Sequence, residues 1–170
     1  LPVGVDWTPV DEALGMLRAR LKPVVPTITV SVQSAVNKIL AKDVIAQRSN
    51  PPLPNTAVDG YGFASKSLSG DGPFELPLVK GRAAAGLRFD GRVPKGFAIR
   101  ILTGAALPDG VDTVILQEDV RCDCLRIAFN GPVKAGSNTR RAGEDVGAGE
   151  TVQRAGRRMT PADAALLSAV

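Results

Sequence analysis

The sequence predicts a small α/β unit built from the two ends of the chain, with a β-rich, barrel-like domain inserted between them. Three observations predict it. Near-identical helix starts stand at opposite ends, Thr8-Pro9-Val10-Asp11 and Thr160-Pro161-Ala162-Asp163. Between them lie four short apolar runs, each bounded by Gly, Pro or Asp clusters. The 170 residues also hold 18 Gly and 13 Pro, a surplus that implies short strands joined by tight turns.

Taken in order, TPVDEALGMLRARL at 8–21 sets Val10, Ala13, Leu14, Leu17 and Leu21 on one helical face. Thr8 is its expected N-cap, with Pro9 at N1 and Asp11 at N3. Next, TITVSVQ at 27–33 alternates Ile28, Val30 and Val32 with polar residues, the period of a half-buried strand. Residues 34–46 read as a short helical turn through Leu40 followed by an extended stretch from Asp43 to Ala46. From Ser49 the prolines of SNPPLPN mark a boundary, and Asp59-Gly60 is a turn signal ahead of Tyr61 and Phe63. Extended candidates follow at FELPLV, FAIRIL, DTVILQEDV and CLRIAF. After an irregular stretch from Gly136, the second helix is expected to be capped by Thr160, with Pro161 at N1 and Asp163 at N3. The division is therefore 1–48 with 139–170 as the α/β unit, and 49–138 as the insertion.

Composition excludes several chemistries. With no His, imidazole triads, imidazole bases and His-bearing zinc sites are out, so catalysis must rest on carboxylates, hydroxyls, Lys, Arg or a cofactor. A net charge of +4 permits an anionic partner, but 4% aromatic residues leave little to stack on bases. Cys122 and Cys124 would share one face of a strand, yet two thiols are too few for a metal site, and they read as ordinary thiols. No apolar run reaches the roughly 20 residues of a membrane span, and no signal-peptide pattern opens the chain, so a cytoplasmic location is expected. The first residue is Leu, which implies a piece of a longer chain.

Three polar loops can carry chemistry: PNTAVDGYGF at 54–63, RILTGAALPDGVDTV at 100–114 and GSNTRRAGED at 136–145. Each sets hydroxyl, amide or carboxylate groups beside glycines, which let a backbone approach an anion, while an Asp can hold a hard cation. Simpler readings stand beside these. Asp59 is equally a turn residue, Thr103 and Gly104 a strand-ending turn, and Arg140, Arg141, Glu144 and Asp145 a solvated charged loop. Glu118 and Asp119 are most simply strand-end carboxylates.

In this order and spacing the three loops resemble the N-terminal half of the molybdopterin molybdenumtransferases, the family that includes the E domain of gephyrin. The resemblance spans Thr8 to Val170, with Thr56, Val58, Gly62 and Ala106-Leu107 as mild departures. It implies the last step of molybdenum cofactor synthesis, in which molybdate is inserted into adenylylated molybdopterin with release of AMP, with a divalent cation such as magnesium (Mg2+). It also implies a homodimer of subunits with about four domains, of which this chain carries the first two and lacks the pterin-binding one, and a molybdopterin adenylyltransferase as upstream partner. Asp59, Thr103 and Asp145 are the catalytic residues it implies, with Asp59 and Asp145 as metal candidates, and Arg140, Asn55 and Gly104 on the substrate. Arg140 would offset pyrophosphate charge or hold Asp145 in place, and Thr103 would hydrogen-bond a phosphate or molybdate oxygen. The rival is a non-catalytic dimerisation or scaffold module of gephyrin type; a nucleic-acid binder rests only on the positive balance.

Overall fold

Two helices and ten short strands organise the described residues, 7–123 and 125–170, of this computed structural model. Helix α1 spans Val10–Arg20, and Pro9 rather than Thr8 is its N-cap. Pro9 holds an extended ψ of 147°, so the helix starts one residue late and no side chain caps it. None of its residues is buried. The strand expected at 27–33 does not form; Gln33–Ala35 is a short 3-10 turn, and Ile28 and Val30 stand exposed. Alternation alone makes no strand when no neighbour takes its amides and carbonyls.

The two ends of the chain then pair. Strand β1, Val44–Ile45, runs antiparallel to Thr151–Gln153, which we number β10. Around it Leu40 N–H donates to Arg157 O at 3.0 Å and Met159 N–H to Lys38 O at 2.8 Å. Helix α2, Pro161–Ala169, follows with the expected Thr160 cap, Pro161 start and reciprocal Thr160–Asp163 capping box. Arg48 donates from its guanidinium to the carbonyls of Ser168 and Ala169, closing the far end of the helix where its dipole is negative.

The middle of the chain builds a six-stranded sheet from β3 (Gly60–Phe63), β4 (Phe74–Ala83), β5 (Ala98–Ile101), β6 (Thr113–Leu116), β7 (Val120–Cys122) and β8 (Arg126–Phe129). Its order is β6-β3-β5-β4-β8-β7. The first half of β4 pairs with β8 and the second half with β5, so one long strand turns the corner between two halves. The edge strands β6 and β7 are joined by three residues, Gln117–Asp119. Such a link spans about 14 Å at most. In a flat sheet, five spacings of about 4.8 Å would separate those edges by roughly 24 Å. The sheet must therefore curl into a half-barrel, as it does. Phe63 and Phe129, on strands separated by two others, accordingly stack across the interior with ring centroids 5.3 Å apart.

Both faces of the central strands are covered. Phe63, Leu76, Ala98, Ile115, Ile127 and Phe129 fill the concave side. Ala83, Ile101, Ala105 and Val114 pack on the other. Gly60 opens β3 rather than making a turn with Asp59: a Cβ there would lie 1.9 Å from Ile115 O, so only glycine admits the close approach of β6. The RCDCLRI stretch is two strands, not one. Asp123 Oδ1 accepts the amides of Leu125 at 3.0 Å and Arg126 at 2.8 Å and turns the chain between β7 and β8. Cys124 lies outside the described residues, so the shared face expected for the two thiols does too. DTVILQEDV is likewise broken, by the turn at Gln117–Asp119.

Candidate functional site

Residues 54–59 are where the three loops meet. Strand β2, Asn55–Thr56, pairs with β9, Thr139–Arg140, which ties the first loop to the third. Thr56 N–H donates to Ala105 O at 3.0 Å, Gly104 N–H to Thr56 O at 3.0 Å and Leu107 N–H to Pro54 O at 2.9 Å, which ties the first to the second. The third loop also lies along β6, where Val114 N–H donates to Ser137 O at 3.0 Å and Asn138 Nδ2 to Val114 O at 2.9 Å. Thr56, only 1% exposed, is the buried hub, and its hydroxyl donates to Val58 O at 2.8 Å.

The sharpest contact joins Asp59 to Thr103. Both the amide and the hydroxyl of Thr103 donate to Asp59 Oδ1, each at 2.7 Å. The Thr103 amide, then its hydroxyl, hold the Asp59 carboxyl below the usual carboxylate range; partial burial opposes them and the Arg100 charge adds to them. Asp59 is thus an ionised acceptor aimed across two loops, not a turn capping its own backbone. Thr103 spends its one hydroxyl proton on Asp59, so in this arrangement it orients the carboxylate rather than donating to an anion. Gly104, with φ +77°, likewise has its amide committed to Thr56 O.

Arg140 holds the third loop together. Its Nε donates to Glu144 Oε1 at 2.9 Å and its terminal nitrogen to Asp145 Oδ1. The Glu144 bond and the Asp145 charge push the guanidinium pKa above its ordinary value, and Arg140 in turn holds the Glu144 carboxyl low. Of the two roles expected of Arg140, steadying Asp145 is the one its contacts serve. Asn55 Oδ1 is enclosed with no hydrogen-bond partner among the described residues, an acceptor left for a donor from outside them.

Sequence reading missed Arg100, Gln117 and Lys134, and took Arg141 only as part of a solvated charged loop. Arg100 had a signal, being the one charge within the apolar run Phe97 to Leu102. Lys134 and Arg141 line a polar cleft of about 820 Å³ beside Gly136, Ser137 and Thr139. A neighbouring cleft of about 580 Å³ takes in Glu118, Asp119 and Arg121. Asp59 and Thr103 line neither. Among the described residues no three or more Asp, Glu or Cys gather. The donors present do not build a site for the magnesium ion that the resemblance implies.

Residues 8–170 match the family model described as the MoeA N-terminal region, domain I and II. The chain belongs to this family. It is 35% identical over 162 residues to the molybdopterin molybdenumtransferase of Haemophilus influenzae, covering 94% of this chain and 39% of that protein. Against the molybdopterin molybdenumtransferase of Synechococcus elongatus it is 37% identical over 138 residues, covering 79% of this chain and 34% of the relative. The chain therefore spans well under half the length of these curated relatives. Its fold matches the crystal structure of the molybdopterin biosynthesis moeA protein from Pyrococcus horikoshii OT3. The TM-score is 0.79 at 34% identity, over 96% of this chain and 43% of that one. As a MoeA N-terminal region, the chain has its three motif loops within the match.

Proposed function

We propose that the chain is the N-terminal part of a molybdopterin molybdenumtransferase. The full protein would insert molybdate into adenylylated molybdopterin and release AMP. One observation carries the catalytic assignment: Asp59 and Thr103, from loops 44 residues apart, meet through two short hydrogen bonds. Thr103 occupies Asp59 Oδ1, and the ionised carboxylate has Oδ2 to orient a water or a substrate proton. Arg140 sets Asp145 in the facing loop, and Asn55 offers its enclosed oxygen to a substrate donor.

The wider assembly is part of the same proposal. Segments 1–48 and 139–170 form one unit and 49–138 the insertion, a division supported by the pairing of β1 with β10. The exposed apolar residues of α1 and the segment after it support a homodimer interface. The chain spans well under half the length of its curated relatives, and this supports a site completed by further domains, so the chain alone is expected not to turn over. An adenylyltransferase would supply the substrate. No described helix is long and apolar enough to cross a membrane, and we place the protein in the cytoplasm.

The test is complementation of a transferase-null strain with the longer protein. Asp59→Asn and Thr103→Ala are expected to leave molybdoenzyme activity unrestored. Activity equal to wild type in both would sink the catalytic assignment and favour a scaffold module.

A further inference from the structure

We propose that Arg100 is the positioning residue of this site, the group that locks the main chain at Asp59-Gly60 so that the carboxylate meets Thr103. The inference rests on the reading of Asp59 as the reacting carboxylate.

Arg100 stands on β5 three residues before Thr103, on the strand face it shares with Ala98. Its register partners are Tyr61 on β3 and Arg82 on β4. Opposed like charges on neighbouring strands repel. The Arg100 guanidinium is committed to the β3 side instead. One terminal nitrogen donates to Gly60 O at 3.0 Å, the other to the side-chain oxygen of Gln117, and the group lies 5.1 Å from the Tyr61 ring centroid.

These bonds close a ring around Asp59. Gln117 N–H donates to Asp59 O at 3.1 Å, and Gln117 Oε1 accepts from Arg100. Arg100 also donates to Gly60 O, and Gly60 follows Asp59 in the chain. Gln117 cannot turn its amide over without loss, because its Nε2 donates to Glu118 Oε1 at 3.1 Å. The Asp59 carbonyl is therefore held from the turn after β6 and the next carbonyl, Gly60 O, from β5, while Thr103 takes the side chain from just beyond the end of β5. The planar guanidinium presents its two terminal nitrogens to the two acceptors in a fixed spread; a lysine ammonium keeps the charge but not that geometry.

The reporter is the Thr103 amide, whose protection from hydrogen exchange depends on its bond to Asp59. In this 170-residue chain, Arg100→Lys and Gln117→Ala are expected to speed Thr103 exchange by about tenfold, the size that losing a charge-assisted hydrogen bond implies, while core amides such as Ile99 keep theirs. Two results would overturn the inference: unchanged Thr103 protection in both variants, or equal acceleration of Thr103 and Ile99, which marks a merely structural residue. Gln117→Ala, which leaves the barrel interior intact, keeps the test decisive if Arg100→Lys folds poorly. Complementation separates the two claims. If Thr103 protection falls in Arg100→Lys while Asp59→Asn restores wild-type activity, Arg100 positions Asp59 as inferred and the catalytic reading fails.

Discussion

Asp59 owes its lowered pKa first to a backbone amide, the N–H of Thr103. Because the Thr103 amide and hydroxyl both lower its pKa, Thr103→Val should raise the Asp59 pKa without returning it to the ordinary value, since the amide bond survives. Carboxyl-carbon titration by NMR would check this. Asp163 offers a second titration. Arg157, then the Thr160 amide and hydroxyl, pull its carboxyl from 3.8 to about 2. The folded value is depressed, so this carboxylate stabilises the fold fully above pH 3.8, and the contribution fades as pH falls through about 2. Urea titrations from pH 5 to pH 2 should show the stability gap between the chain and Asp163→Asn as constant at the upper end and shrinking below pH 3.8.

Strand β3 is the element on which the site depends, because Asp59 stands immediately before it and it lies between β5 and β6. Gly60→Ala would drive a Cβ to 1.9 Å from Ile115 O, a clash with backbone that side-chain rotation cannot relieve. We expect it to cost about 1–3 kcal/mol or more, read as a lower urea midpoint at unchanged slope. A loss under 0.5 kcal/mol would mean that β6 moves freely. Helix α2 is held differently, by its ends: Thr160 at the start and Arg48 at the finish. Thr160→Ala should lose about 1 kcal/mol, the usual worth of a cap.

For the molecule as a whole, the distribution of apolar surface is uneven. The half-barrel buries most of its apolar residues, with Leu87, Phe97 and Leu125 as scattered exceptions, whereas Trp7, Val10, Leu14, Leu17, Leu21, Val24, Val25 and Ile28 stand exposed in one run of sequence. A run of this kind is what a protein interface leaves when its partner is away. If it seats a second copy, Leu14→Lys with Leu17→Lys should leave the urea midpoint within about 0.5 kcal/mol of the original and shift sedimentation from dimer to monomer. Dimers that persist in the double variant would place the interface elsewhere.

The amino-acid sequence by itself determined the local features: the capped start of α2, the short strands set off by Gly and Pro, and the motif loops that carry Asp59, Thr103, Arg140 and Asp145. These depend on near neighbours in the chain, where spacing and side-chain chemistry suffice. Tertiary structure decided the rest. The alternation at 27–33 reads as a strand but finds no ladder partner among the described residues, and Thr8 reads as a cap but the extended Pro9 sets the helix start beyond it. Gly60 reads as a turn residue, yet its need for glycine comes from Ile115, more than fifty positions away in sequence. The partners of Asp59 were equally hidden, because a carboxylate's hydrogen bonds follow from which strands lie side by side, and strand order is set by how a curled sheet brings its edges together.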